Sequence, residues 1–502
     1  MTENLTEKAD DIAQLAKGGR TNILGFVIRL AGRIPFLFIA GRSYGPEIVG
    51  RFALAVLVIE LAALLATLGL KRGLAQALST TSRPDTHVVA DAMVVALFAS
   101  LVGSVLLGMF PQVMFPNSQV TGLEWLLPSI VFALAWSEVA FSALAYRHNV
   151  GASVTARSIV EPWTITSAAL ILSYLSPRDG LIIAYVVATF AMLIAAMVPL
   201  LKMYGLPRNW RPDPLRLWRM ARINAPLAGA DALEWGSRNI DRFILGLLFS
   251  PAIVGIYYVA QQVASPAQRL KTTFDPILGP VVTRSLAAGD TESVAKQVRQ
   301  VAFWVMAVQA AIAIAIGVTS DGVMGLLGQG FVAGSATLCI LLTAEVLASP
   351  GAIAEGGLVY IARNRNLMIS TAMLCFQVVM SFVFVIVIRE MGYPVVYQAV
   401  GPALALALSL LVGSIVKTWL LSRLLKRRMS ALRWGMLAAM AASAGVGVLI
   451  SKLPEWLQLT AGIPLMLVAY FAVLLKLAFG PEDKALFRKM PKEQQIAIDD
   501  VR

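Results

Sequence analysis

Two arginines, Arg29 and Arg33, stand four residues apart in one apolar run of a 502-residue chain. Residues at i and i+4 share a helix face, and guanidinium groups offer planar, paired donors suited to phosphate oxygens. A charge at mid-bilayer costs about 2.5 to 3.5 kcal/mol on insertion scales, so such a group faces a water-filled space or a partner. No acidic residue accompanies these two on their run. Counted from residue 22 at about 1.5 Å per residue, Arg33 lies roughly 16 Å deep, too far in for snorkelling.

A second charged stripe, Asp231, Glu234, Arg238, Asp241 and Arg242, falls within residues 223–249, with 234, 238 and 242 at i, i+4 spacing. Two readings of Arg238 stay open: it faces an anionic cargo, or it pairs internally with Glu234. Arg29, Arg33 and Arg238 are the first candidates for an anion site, with Arg51, Arg242, Arg269 and Lys271 as a second rank nearer the mouths. Lys417 and Lys476, close to the ends of their runs, are expected to snorkel. The carboxylates inside apolar runs that are candidates for ion coupling or for pairing with the arginines are Glu60, Asp91, Glu138, Glu161, Asp231, Glu234, Glu345 and Glu355. Such groups can carry a coupling proton or, clustered with carbonyl oxygens, Na⁺, and some are expected to be partners of the arginines.

The elements that position these residues must be membrane helices. The chain is 58% hydrophobic and 14% charged, with a mean hydropathy of +0.74, where a soluble domain carries about a quarter charged residues. A span needs about 20 mostly apolar residues. Fourteen stretches qualify: 22–42, 48–69, 88–110, 123–146, 159–175, 181–201, 223–249, 252–272, 301–318, 336–360, 367–388, 398–421, 434–451 and 460–480. With the N-terminus inside, 31 of the 42 Lys and Arg fall on the cytoplasmic side. Four (Arg42, Arg178, Arg389, Lys452) fall outside and seven within spans. Positive loops stay cytoplasmic, so both termini are expected there.

Glu3, Glu7, Asp10 and Asp11 occupy the start, where a secretory signal is basic, so no cleavable signal is expected and the first span serves insertion. Residues 5–17 read as an amphipathic surface helix or a solvated tail. Residues 202–222 form a basic linker with Trp210 and Trp218, read as lying against anionic headgroups, and residues 275–300 read as a second interfacial stretch.

The chain repeats itself at an offset of 205 residues. SYGPEIVGRFALA (43–55) aligns with LFSPAIVGIYYVA (248–260), matching Pro46/Pro251, Ile48/Ile253, Val49/Val254, Gly50/Gly255 and Ala55/Ala260. The offset spans six helices, so both copies run the same way across the membrane, as parallel transporter repeats do. Arg33 plus 205 is Arg238.

Asn239-Ile-Asp-Arg-Phe-Ile-Leu-Gly, followed by Val254-Gly-Ile-Tyr-Tyr-Val-Ala-Gln-Gln, resembles the seventh and eighth helices of bacterial polysaccharide-exporter flippases. So do Lys17-Gly-Gly-Arg-Thr-Asn and Gly45-Pro-Glu-Ile-Val-Gly-Arg-Phe around the first helix. The resemblance implies the polysaccharide branch (the Wzx type) of the multidrug/oligosaccharidyl-lipid/polysaccharide exporter superfamily. It implies an all-α polytopic fold in which two six-helix lobes form a pseudo-two-fold V, followed by two C-terminal helices. The expected organisation is a tail (1–21), an N-lobe (22–201), the linker (202–222), a C-lobe (223–421), helices 13 and 14 (422–480) and a cytoplasmic tail (481–502). The implied cargo is an undecaprenyl-pyrophosphate-linked oligosaccharide, moved to the outer leaflet of the inner membrane by a monomer, with membrane lipids and other polysaccharide-assembly proteins as partners.

An ion-coupled multidrug exporter of the same superfamily is the alternative, though cationic drugs call for an acidic cavity. A membrane polymerase or glycosyltransferase would need a folded loop or an Asp-x-Asp metal pair, and the connections are short. No Gly-x-x-x-x-Gly-Lys loop is present, so ATP is not the expected energy source. His87 and His148 lie apart, and Cys339 and Cys375 sit in apolar runs, so no metal, disulfide or cofactor is expected. The basic excess of +13 punctuates apolar runs rather than forming patches on polar domains, which argues against nucleic acid.

Overall fold

The computed structural model describes residues 28–120, 122–273 and 290–480. Every regular element among them is helical. Residues 28–39 (α1) pass through a π-turn, Ala40–Tyr44, into α2 (Gly45–Ala66) and, after a short turn, α3 (Leu70–Thr80), a 53-residue stretch that takes in the described part of the first expected span and all of the second. There follow α4 (Asp85–Met109), α5 (Ser129–Tyr146), α6 (Val150–Leu175) and α7 (Gly180–Tyr204). Beyond the linker come α8 (Pro214–Leu248), α9 (Pro251–Thr273), α10 (Thr291–Val318), α11 (Ser320–Leu327), α12 (Ser335–Ile361), α13 (Arg363–Glu390), α14 (Gly401–Leu425), α15 (Trp434–Ile450) and α16 (Ile463–Leu477).

The described part of each of the fourteen apolar stretches is mainly helical. Among the described residues, ten helices are long and apolar enough to cross a membrane. The 35-residue α8 and 23-residue α9 miss that standard because they carry the charged stripe and its polar neighbours, and α15 is short at 17 residues. Several starts are written locally. Asp213 accepts the Leu215 N–H at 3.1 Å, with Pro214 at the first helical position of α8. Asp290 likewise caps α10, accepting the Ser293 N–H at 2.9 Å. Residues 291–300, expected to be interfacial, are therefore the first turns of α10. The amphipathic reading of 5–17, the Lys17–Asn22 motif, the terminal tails and residues 275–289 lie outside the described residues.

The chain forms two compact units, one of residues 1–266, 324–337 and 370–406, the other of 267–323, 338–369 and 407–502. The first is packed around Leu70, Leu74, Leu78, Val89, Phe141, Leu144, Met192 and Leu200, drawn from α3, α4, α5 and α7. The second is packed around Phe303, Met306, Ile353, Leu421, Met436 and Tyr470, whose hydroxyl donates to the Ala307 carbonyl at 2.9 Å. Phe98, Leu101, Val102 and Val105 make an exposed apolar stripe on α4, as a lipid-facing surface requires.

Inside the first unit the two repeat motifs meet. A Cβ on Gly50 would run into the Pro251 carbonyl, and one on Gly255 into the Pro46 carbonyl. Each would also come within 2.8 Å of the other glycine's backbone nitrogen. The starts of α2 and α9 thus touch backbone to backbone, a contact that only glycine permits.

Candidate functional site

The cluster begins where α1 lies on α6. Gly32 has no side chain to hold the helices apart: a Cβ there would stand 3.0 Å from Pro162, and the Gly32 carbonyl accepts the Thr166 hydroxyl at 2.8 Å. That packing brings Arg29 to 3.9 Å from Glu161 and turns Arg33 to the Gln262 side chain of α9, 3.4 Å away. On α2, residues 52–59 are all buried, yet Glu60 is open. The charges within its reach are Arg242, Arg33, Glu161 and Arg29, from α8, α1 and α6. Charges carried by α1, α6 and α8 of the same unit thus act on Glu60.

Arg242 is aimed by its neighbour. Asp241, fully buried, accepts the Tyr257 hydroxyl at 2.6 Å and the Gln261 amide at 3.4 Å, which ties α8 to α9. Arg242 then lies over the Tyr258 ring, 5.7 Å from its centroid, and donates to Asn239. Phe52 packs against both Tyr185 and Tyr258, with ring centroids 5.5 and 6.4 Å apart. Three guanidinium groups gather here with Glu60, Glu161 and, beside Arg242, the buried Asp241, next to an aromatic wall.

The other candidates fall elsewhere. Arg238 is exposed and paired with Glu234 at 3.2 Å, the internal pair that the i, i+4 spacing left open. Glu234 also holds Arg72 of α3 at 2.8 Å, and Arg72 reaches Asp231 at 2.7 Å. Glu138 is engaged by Lys71 at 3.4 Å and by Arg157. Arg51 makes a two-point pair with Glu124, at 2.8 and 2.6 Å. In the second unit Lys271 pairs with Glu345, both largely buried. Glu355 takes Lys417 at 2.8 Å and the Asn366 amide at 3.1 Å. Lys417, with 12% of its side chain exposed, is thus a buried pair member rather than a snorkelling one. Arg269 and Lys476 are exposed.

Asp91 has no exposure and is saturated. It accepts Arg83 at 2.7 Å, Arg216 at 2.9 Å and the Trp210 indole at 2.8 Å. Two of these donors come from the basic linker, so residues 210–216 are docked on α4 rather than held only by headgroups. The Arg208 carbonyl adds a contact to His87 at 2.9 Å. Asp91→Ala is expected to free this segment, so that trypsin cuts purified protein at Arg208 at least several-fold faster, while sites at the start of α10 keep their rate. Unchanged cleavage at the linker would show that Asp91 does not hold it.

Sequence reasoning missed Gln262, Tyr258, Arg72, Asn117 and Glu124. Arg72 counted only as a positive loop charge, and Glu124 sits in a short connection with no periodicity to mark its partner.

The sequence profile of the polysaccharide biosynthesis protein family matches residues 17–282. No curated protein sequence matches the chain. Among solved structures, the fold is similar to "Lipid II flippase MurJ, inward closed conformation", with a TM-score of 0.69 at 10% identity, covering 93% of this chain and 100% of that one. It is also similar to the inward-facing conformation of a multidrug resistance MATE family transporter of the MOP superfamily, with a TM-score of 0.63 at 15% identity over 80% and 99% of the two chains. MATE in complex with MaD5 gives 0.54 at 14% identity over 82% and 96%. These likenesses establish the fold, and the profile spans more than half of the residues: the chain belongs to the polysaccharide biosynthesis protein family.

Proposed function

We propose that the protein is a flippase that moves undecaprenyl-pyrophosphate-linked oligosaccharide from the cytoplasmic to the outer leaflet of the bacterial inner membrane. Its working cycle is alternating access, and its product feeds the assembly of O-antigen, capsule or exopolysaccharide. The observation that carries this reading is the cluster of Arg29, Arg33 and Arg242 with Glu60 and Glu161, in which three guanidinium groups offer paired donors suited to a diphosphate. Tyr185, Tyr258 and Phe52 offer faces for sugar or isoprenoid. Both termini lie in the cytoplasm, the protein acts as a monomer without cofactor and is not an enzyme, and residues 22–201 and 223–421 are the two transport lobes, with 202–222 between them. Arg51 and Lys271 serve as structural partners, and Glu60 is the foremost carboxylate for ion coupling. The family assignment supports the polysaccharide cargo, and the three intramembrane guanidinium groups disfavour cationic drugs.

An Arg33→Ala, Arg242→Ala double variant is expected to lower surface polysaccharide at least tenfold at normal membrane abundance, because removing intramembrane charge eases insertion. Arg33→Lys should retain part of the activity, since it keeps the charge and loses the fork. Arg238→Ala should be mild, because Arg72 still holds Glu234. Normal surface polysaccharide in the double variant eliminates the site.

A further inference from the structure

We infer that α8 is latched to the first repeat at its C-terminal end and again near its middle, and that these two latches are the gates on either side of the charged cluster.

One latch caps the C-terminal turn. The Asn117 amide donates to the carbonyls of Gly246 at 2.9 Å, Phe249 at 3.0 Å and Leu247 at 3.4 Å, groups that a helix end leaves without an internal partner. Asn117 belongs to the connection between α4 and α5, and Arg51 of α2 fixes that connection. Besides its two-point pair with Glu124, Arg51 donates to the Gln119 carbonyl at 2.8 Å and lies 4.7 Å over the Phe115 ring. Met114 and Phe115 are each 1% exposed, so these two side chains anchor the segment that carries Asn117.

The other latch grips α8 near its middle. Arg72 of α3 binds Asp231 and Glu234, and a little further out Gly69 and Gly73 leave room only for Asn224. Asp231 and Leu247 are separated by about 24 Å along a helix, and Arg242 lies between them. Opening either latch while the other holds would expose the cluster to one face at a time. The contacts have the strength a reversible gate requires: neutral bonds to a helix terminus at one latch, and at the other an ion pair whose arginine side chain is 52% exposed. This inference rests on the transport reading but on no particular cargo.

The test uses Glu60→Cys as a reporter in the full chain carrying Cys339→Ala and Cys375→Ala. A membrane-impermeant maleimide is applied to spheroplasts and to inverted vesicles. Asn117→Ala should raise labelling at least threefold from one face only, and Arg72→Ala by a similar factor from the other face only. Asn117→Asp, which keeps the volume and removes the donor, should act like Asn117→Ala and serves if alanine lowers abundance. If both latch variants open the same face, if each opens both faces alike, or if neither changes labelling at normal abundance, the inference is overturned. A wrong cargo assignment would appear instead as normal surface polysaccharide in the Arg33, Arg242 double variant, which labelling does not read.

Discussion

Gly50→Ala and Gly255→Ala should each strip the protein of most of its thermal resistance in detergent, while Gly229→Ala should leave it unchanged or raise it. At the first two positions the new methyl group meets a backbone carbonyl, Pro251 or Pro46, that no rotamer change can move aside. The helices must separate, and overpacking of that kind costs about 1 to 3 kcal/mol or more. Gly229 lies within α8 with nothing within 4 Å of an added Cβ, so alanine there brings only its better helix propensity, up to about 1 kcal/mol. The measurement is the temperature at which half of the solubilised protein leaves the monodisperse peak. A Gly50→Ala midpoint equal to that of Gly229→Ala would show that the crossing is not close-packed in the membrane-extracted protein.

Lys271→Ala should destabilise the second unit strongly, and Lys271→Met with Glu345→Leu should recover most or all of the loss. Both side chains of the pair are nearly buried. Removing one leaves an uncompensated charge, at about 3 to 5 kcal/mol, whereas exchanging both for apolar side chains of similar size is often neutral or stabilising. Glu345 sits beside a polar group of its own unit, in which Ser349 donates to Gln309, whose amide donates to the Ala267 carbonyl at 2.7 Å. Thermal midpoints of the two singles and the double separate the cases. A double variant as unstable as the singles would mean that the pair contributes more than mutual neutralisation, and would return Glu345 to the list of functional carboxylates.

The helical, membrane-spanning character was legible because apolar length is a local property: ten of the described helices are long and apolar enough to cross a membrane. So was the glycine crossing, as a repeat if not as a contact, since identical residues at a constant offset need no tertiary knowledge to be noticed. Arg29 and Arg33 stood out through the lack of a local counter-charge, and their partners proved to be Glu161 and Gln262 on other helices. The repeat arithmetic that coupled Arg33 with Arg238 did not carry over to the side chains. Arg238 has Glu234 four residues before it and takes the local pair, while Arg242, one turn on, is swung to Tyr258 by the anchoring of Asp241. Asp91 looked like a membrane carboxylate because the run around it is apolar. Its three donors come from Arg83 on one side and from the linker more than a hundred residues later, a distance across which sequence pattern carries no signal.

The meeting of Gly50 with Gly255 has a bearing on ancestry. In a two-fold symmetric pair, a residue near the axis contacts its own copy, so a single substitution alters both sides of the interface at once. A half-length ancestor that associated as parallel twins would have needed one glycine to serve both chains, and fusion of two gene copies would then have split that duty between two codons. Arg33 and Arg238 show how far such copies can drift once each has its own neighbours. The Pro-x-Ile-Val-Gly segments have not drifted, because each still presses on the other's backbone, and a side chain admitted in either would be felt in both.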